Sequence, residues 1–313
     1  MKTIAVGRSE LISTRLAYGC WRLAGSKDTT TVTPEKEAAG RTAVIAAYEA
    51  GYTLFDLADI YADGAAERIF GQALREVPEM RDRTIICTKG GIRLAGVPDA
   101  GAPFRYDFSE AYLVSACEES LQRLGIETID LYLLHRPDYL GDPAEVASAF
   151  SRLKQAGKVR EFGVSNFRPS QLSLLQKACP MPLVAHQVEI SLGRLEPFND
   201  GTLDQCLAEQ ITPQAWSPLG GGRLVNGFVD MQDPHHARKQ KLHDTLGVLA
   251  REHGTTRTVI ALAWLLKHPA RIMPVVGSIN PERIQESTRA DELELTREEW
   301  YRLYEAAVGQ RLP

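Results

Sequence analysis

The chain predicts an α/β fold built as a single (β/α)8 barrel, and three observations carry that expectation. Short apolar runs alternate eight times with helix-like stretches, the pattern of a parallel barrel rather than of a meander. No linker-like segment divides the 313 residues, a length that one large barrel accommodates. The turn after the first apolar run, Gly19-Cys20-Trp21-Arg22-Leu23-Ala24, lacks the GxGxxG spacing that a doubly wound dinucleotide fold places there. Residues 1–313 are therefore read as one domain.

The elements follow in order. Residues 1–13 read as a short hairpin turning at Gly7-Arg8-Ser9-Glu10. Leu16-Ala17-Tyr18-Gly19 is the first barrel strand, followed by a helix over residues 34–50 that Thr33 can cap and Pro34 can start. Tyr52-Thr53-Leu54-Phe55 is the second strand and stops at Asp56, and Asp63-Gly64 turns into a helix over 65–75. The third strand, 84–88, ends at Lys89-Gly90-Gly91. A long loop, 92–107, then precedes a helix over 109–124. Leu131-Tyr132-Leu133-Leu134 ends at His135-Arg136-Pro137, and a helix over 143–156 stops at Gly157. The fifth strand, 159–164, ends at Ser165-Asn166, with a helix over 169–178. The sixth, 183–186, ends at Gln187, with a helix over 203–209. The seventh, 213–216, ends at Ser217-Pro218-Leu219-Gly220, with helices over 236–253 and 257–267. The eighth, 272–276, ends at Gly277-Ser278, and helices over 281–290 and 296–307 close the chain.

Composition narrows the function. A net charge of -4 with 36 basic and 40 acidic side chains gives no basic excess for nucleic acid. The longest strong apolar run, 259–266, is too short to span a membrane, and residues 1–10 have no apolar core for a signal peptide. Five cysteines, odd in number and never spaced CxxC, read as reduced thiols of a cytoplasmic protein. His235-His236 and the other histidines form no metal-ligand spacing, so no metal is expected.

In a barrel, the residues just after each strand share one rim, where the chemistry of such folds sits. Reading them off gives Asp56 and Tyr61, then Lys89, then His135, on adjacent strands. A phenol titrates near 10 and needs help to exchange a proton at neutral pH. An ammonium beside it lowers that value; a carboxylate keeps the ammonium charged; an imidazole can donate to a carbonyl oxygen. The set suits proton delivery to a carbonyl that is gaining an electron pair. A barrel lyase using Lys89 as a Schiff base is a second reading, and it would need that amine uncharged. A cofactor-binding subunit without catalysis is a third.

These residues resemble the tetrad of the aldo-keto reductases, and so do the words around them. Phe55-Asp56-Leu57-Ala58-Asp59-Ile60-Tyr61 with Glu67 and Gly71, Asp130-Leu131-Tyr132-Leu133-Leu134-His135, and Gly157-Lys158-Val159-Arg160 before Phe162-Gly163-Val164-Ser165-Asn166-Phe167 match in order. Within the family, the bacterial YdhF-like branch is the most similar, through His135-Arg136-Pro137-Asp138 and Ala215-Trp216-Ser217-Pro218-Leu219-Gly220-Gly221-Gly222-Arg223-Leu224. The resemblance implies reversible reduction of aldehydes or ketones, with Tyr61 as the general acid. It implies NADPH as hydride donor, with NADH possible. Ser165, Asn166 and Gln187 would hold the carboxamide, and Trp216 would stack on the nicotinamide. Ser217, Leu219, Gly221, Gly222 and Arg223 would bind the pyrophosphate. Gly277, Ser278, Asn280, Arg283 and Glu286 would bind the adenosine end, and Cys20 and Trp21 would lie beside the cofactor. Two departures concern that end, where many members have lysine at Gly277 and asparagine at Ser287. Trp21, Tyr61, His135 and Arg136 are expected around a small carbonyl substrate, with Arg93, Phe104, Tyr106 and Tyr139 as further rim residues. Loops 92–107 and 223–235 are expected as covers. The protein is expected to be a monomer or a weak homo-oligomer.

Overall fold

Eight parallel strands close on themselves in sequence order. The computed structural model describes residues 1–26, 29–227 and 232–312. A two-stranded antiparallel hairpin, β1 (Thr3–Ala5) and β2 (Ile12–Thr14), precedes the barrel. The barrel strands are β3 (Ala17–Gly19), β4 (Leu54–Asp56), β5 (Ile85–Gly90), β8 (Ile129–Leu134), β9 (Val159–Ser165), β10 (Leu183–Glu189), β11 (Thr212–Trp216) and β12 (Met273–Val276). β12 pairs back onto β3, so the sheet has no free edge. In this ring of eight, β4 stands opposite β10 and β5 opposite β11.

Helices follow the strands: α1 (Pro34–Glu49), α2 (Ala65–Glu76), α3 (Met80–Arg83), α4 (Glu110–Leu124), α5 (Pro143–Gln155), α6 (Pro169–Ala178), α7 (Thr202–Ala208), α8 (Arg223–Asn226), α9 (His236–Glu252), α10 (Arg257–Leu266), α11 (Pro281–Thr288) and α12 (Arg297–Val308). The starts are written in the sequence. Thr33 and Asp142 accept backbone hydrogen bonds at the heads of α1 and α5, each with proline next. Trp264 of α10 and Trp300 of α12 stack at 4.9 Å, and each indole donates to the other's carbonyl. That reciprocal bond satisfies two buried N–H groups and fastens the last helix to the barrel.

The hairpin plugs the amino-terminal mouth. Val6 and Leu11 join the interior side chains Leu54, Ile85, Cys87, Leu131, Leu133, Met273 and Val275 in one buried cluster. Gly7 has φ +56°, and a Cβ there would come within 2.3 Å of the Val184 carbonyl, so only glycine fits this close approach. Along each strand alternate residues face the same side. Residues 54 and 56, 85, 87 and 89, and 212, 214 and 216 therefore share the interior, apolar below and polar above.

Several strands are longer than the apolar runs suggested. β5 continues through Lys89 and Gly90, and β10 through Gln187 to Glu189. The ladder persists because neighbours still supply partners: Lys89 pairs with Leu133, and Gln187 with both Ser165 and Gln214. Loop 92–107 holds a small antiparallel pair, β6 (Ile92–Arg93) and β7 (Arg105–Tyr106), where a continuous loop was expected. Of the second expected cover, 223–235, the first turn is α8, and residues 228–231 lie outside the described residues.

His186 is fully buried, and its burial pushes the imidazole down to about 4. The folded chain therefore keeps it neutral where the unfolded chain, near 6.5, takes up a proton. This contribution to stability is present above pH 6.5 and is lost as pH falls toward 4, by up to about 1.4 kcal/mol per pH unit. Urea unfolding across this range should show one proton fewer of linkage in His186→Gln than in the parent.

Candidate active site

The carboxyl ends of the strands open into a cleft of about 1530 Å³. Asp56 and Tyr61 line it, and behind them lies Lys89, fully buried on the inward face of β5. Its ammonium lies 2.8 Å from one Asp56 oxygen and 2.9 Å from the other. It also donates to the Leu57 carbonyl at 2.8 Å and to the Tyr61 hydroxyl at 3.0 Å. An ammonium has three hydrogens, and these three partners use them all. An ammonium also cannot accept, so the Tyr61 oxygen is the acceptor and its own hydrogen is left to point elsewhere.

The loop after β4 is laced onto β5, which fixes this meeting. Leu57 N–H donates to the Cys87 carbonyl and Asp59 N–H to the Lys89 carbonyl. On the outer side of β5, Thr88 donates to Glu67 of α2 at 2.6 Å, and Arg123 of α4 holds the other Glu67 oxygen at 2.6 Å. Asp59 is half-buried beside them, and its carboxyl is pushed well above the carboxylate range by loss of water around it and by Glu67.

Burial and charge compete at each group. Burial is the largest single influence on Lys89 and opposes its charge, but Asp56, Tyr61 and Cys87 together outweigh it, and its pKa stands above the ordinary lysine value. Burial raises Tyr61 to about 12, more than Lys89 lowers it. The lysine thus moderates a phenol that burial makes more basic; the net lowering expected from an ammonium neighbour alone is not reached. His135 is kept neutral, well below 6.5, by burial, then by Lys89 and Arg136. Its ring meets Tyr61 edge-on at 5.8 Å, and its Nδ1 has no partner among the described residues.

One wall carries Ser165, Asn166, Gln187 and Trp216. Asn166 sits at φ +63° and Ser217 at φ +50°, unusual for side chains other than glycine. Asn166 is fully engaged: its amide donates to Ser165 Oγ and to the His135 carbonyl, and its oxygen accepts from the Trp216 indole at 3.0 Å. The Arg136 guanidinium lies 5.8 Å from the Trp216 ring centre. Gln187 donates to Asp56 at 2.7 Å and to Gln214 at 2.9 Å, which spends both amide hydrogens.

The cleft continues past Pro218, Leu219 and Arg223 to Gly277, Ser278, Asn280, Arg283 and Glu286. Gly220, Gly221 and Gly222 all have positive φ (58°, 69° and 94°), so the loop makes a tight turn closed by Gly220 N–H on the Ser217 carbonyl and Gly222 N–H on the Leu219 carbonyl. Of the expected cofactor neighbours, Cys20 does not line the cleft. It is fully buried, because the 3-10 turn Cys20–Arg22 turns it inward while Trp21 faces the opening. Among the rim residues, Phe104, Tyr106 and Arg136 line the cleft, but Arg93 and Tyr139 do not. Arg93 is drawn to Asp107 at 2.8 Å and onto Tyr112, and Tyr139 is 83% exposed. Reading the chain missed Gln214, which the strand register alone places beside Gln187, and Arg251 and Arg257, which reach the cleft from α9 and α10.

The sequence profile of the aldo/keto reductase family matches residues 15–307. The chain is similar to a 6-dehydroglucose reductase of Novosphingobium aromaticivorans, 40% identical with 98% of this chain and 96% of that one covered. It is 41% identical to the oxidoreductase YdhF of Escherichia coli, over 84% and 85% of the two chains. Among solved structures it resembles a glycerol dehydrogenase of Gluconobacter oxydans, with a TM-score of 0.87 at 25% identity over 99% and 97% of the chains. The chain belongs to the aldo/keto reductase family. It is an oxidoreductase of carbonyl and alcohol groups on small molecules, of a family that works with a nicotinamide cofactor. Among the described residues, no helix is long and apolar enough to cross a membrane.

The buried ion pair sets a testable stability term. Asp56→Ala leaves the Lys89 ammonium buried without its counter-charge and should cost about 3–5 kcal/mol. Adding Lys89→Met should recover part of that loss in chemical denaturation, and a purely additive double variant would contradict the pairing.

Proposed function

We propose that the chain reduces an aldehyde to a primary alcohol with NADPH, and that Tyr61 delivers the proton to the carbonyl oxygen. The hydroxyl geometry carries this reading: Tyr61 accepts from Lys89, so its own hydrogen is available to a substrate in the cleft. The neutral His135 beside it offers a ring nitrogen to the same oxygen. As the carbonyl gains its electron pair, the proton leaves Tyr61, and the phenolate formed is stabilised by the Lys89 ammonium already in contact. Asp56 keeps that ammonium charged in both states. A Schiff base at Lys89 needs a neutral amine, which this carboxylate opposes.

The nicotinamide, when bound, supplies the hydride. Donors and acceptors on the wall fit its carboxamide: Ser165 offers a hydroxyl and Gln187 an oxygen. Trp216, held by Asn166, presents an aromatic surface to the ring. The three glycines and Arg223 suit a pyrophosphate, and Arg283 with Ser278 and Asn280 suits a 2′-phosphate. Gly277 lacks the cation common there, but Arg251 and Arg257 add guanidinium groups to the cleft. This supports NADPH over NADH. One barrel domain thus carries both cofactor and substrate, in an enzyme of the reducing cytoplasm.

For the substrate we propose a polyhydroxylated aldehyde. The relative at 40% identity is a 6-dehydroglucose reductase, and the rim combines the rings of Trp21, Phe104 and Tyr106 with Arg22, Arg136 and Glu189. Flat rings beside hydrogen-bonding groups match a sugar's alternating C–H and O–H faces. Purified protein with 6-dehydroglucose should oxidise NADPH faster than NADH, read as absorbance loss, and equal rates with both cofactors would remove the NADPH assignment. Tyr61→Phe should retain cofactor binding by calorimetry and lose at least about tenfold in turnover. Unchanged turnover in that variant would remove the proton-donor role. Gly277→Lys should tighten NADPH binding selectively over NADH.

A further inference from the structure

We infer that Gln214 is a positioning residue that fixes which end of the Gln187 amide faces the nicotinamide carboxamide. The inference rests on the nicotinamide reading of the cleft given above. Gln187 sits on β10 with its strand partner Gln214 beside it on β11, and both are buried, at 2% and 0% exposure. Across the barrel stands Asp56, committed to the Lys89 ammonium and therefore acceptor-only. The contact of 2.7 Å to Asp56 must then come from the amide nitrogen of Gln187. Its second hydrogen goes to the Gln214 oxygen at 2.9 Å.

With one acceptor the amide could pivot about the Asp56 bond. With two, its plane is set and both its hydrogens are taken. What remains toward the cleft is Gln187 Oε1, to which no donor reaches among the described residues. That atom can only accept, so it selects an NH2 group and gains nothing from a methyl.

The cost of the arrangement shows that it is not simple packing. Gln214 Nε2 is buried with no partner among the described residues. An apolar side chain on this inward strand position would leave no such orphan. The glutamine therefore stands there for its oxygen, and that oxygen touches Gln187.

The test compares two oxidised nucleotides by titration calorimetry: NADP+ and its 3-acetylpyridine analogue, in which a methyl replaces the carboxamide NH2. The parent should bind NADP+ more tightly than the analogue. Gln214→Met, which keeps length and removes the acceptor, should shrink that preference by about threefold to tenfold, the range that one hydrogen bond commands. The change should come from weaker NADP+ binding, with the analogue little altered. Gln187→Met should abolish the preference, and Gln214→Glu, which keeps an acceptor oxygen, should retain it. Gln214→Val, β-branched and at home in a buried strand, gives the same comparison if the methionine variant does not fold. A folded Gln214 truncation that keeps the parent preference overturns the inference, as does equal weakening of both nucleotides, the mark of a merely structural role. A parent that binds neither nucleotide overturns instead the cofactor reading on which the inference rests.

Discussion

One buried ion pair organises the upper half of this molecule. Lys89 and Asp56 stand on neighbouring inward strands of a closed barrel, Lys89 fully buried and Asp56 nearly so. A charge so placed is tolerable only with a partner and with its remaining hydrogens satisfied. The Leu57 carbonyl and the Tyr61 hydroxyl do this, and so the loop carrying Tyr61 is bound to the strand carrying Lys89. The remaining Asp56 capacity is met from across the barrel by Gln187, which ties the opposite wall to the same pair. A single chain of hydrogen bonds therefore runs from Gln214 through Gln187, Asp56 and Lys89 to Tyr61, above an apolar interior.

That continuity gives the cleft its division of labour. The low dielectric that makes the pair expensive also makes each of its interactions strong. It raises the Tyr61 phenol to about 12, so the resting group keeps its proton at neutral pH. It holds His135 neutral, which suits an imidazole that donates without carrying charge. The rim, by contrast, is built from turns with exposed rings and guanidinium groups, where substrates can be distinguished without disturbing the floor.

Much of this could be read from the residues. Eight apolar runs with polar ends located the strands, and the first polar residue after several of them located Asp56, Lys89 and His135. The carboxyl-terminal rim of a parallel barrel gathers such residues whatever their separation along the chain. Less could be read where a polar residue lies within a strand. Lys89 and Gln187 are strand residues by pairing, but their polarity suggested loops. Cys20 was expected beside Trp21 at the cleft, yet a single tight turn sends these adjacent side chains in opposite directions.

The sequence by itself determined the barrel, its order and the identity of the four converging groups, because hydrophobic period and strand-end position are local properties. Only the tertiary structure decided how those groups bond. Gln187 and Asp56 are 131 residues apart, and their contact exists because closure of the sheet sets β4 against β10. The proton affinity of Tyr61 likewise depends on how completely the surrounding chain shuts out water, a quantity that no neighbouring residue in the sequence encodes.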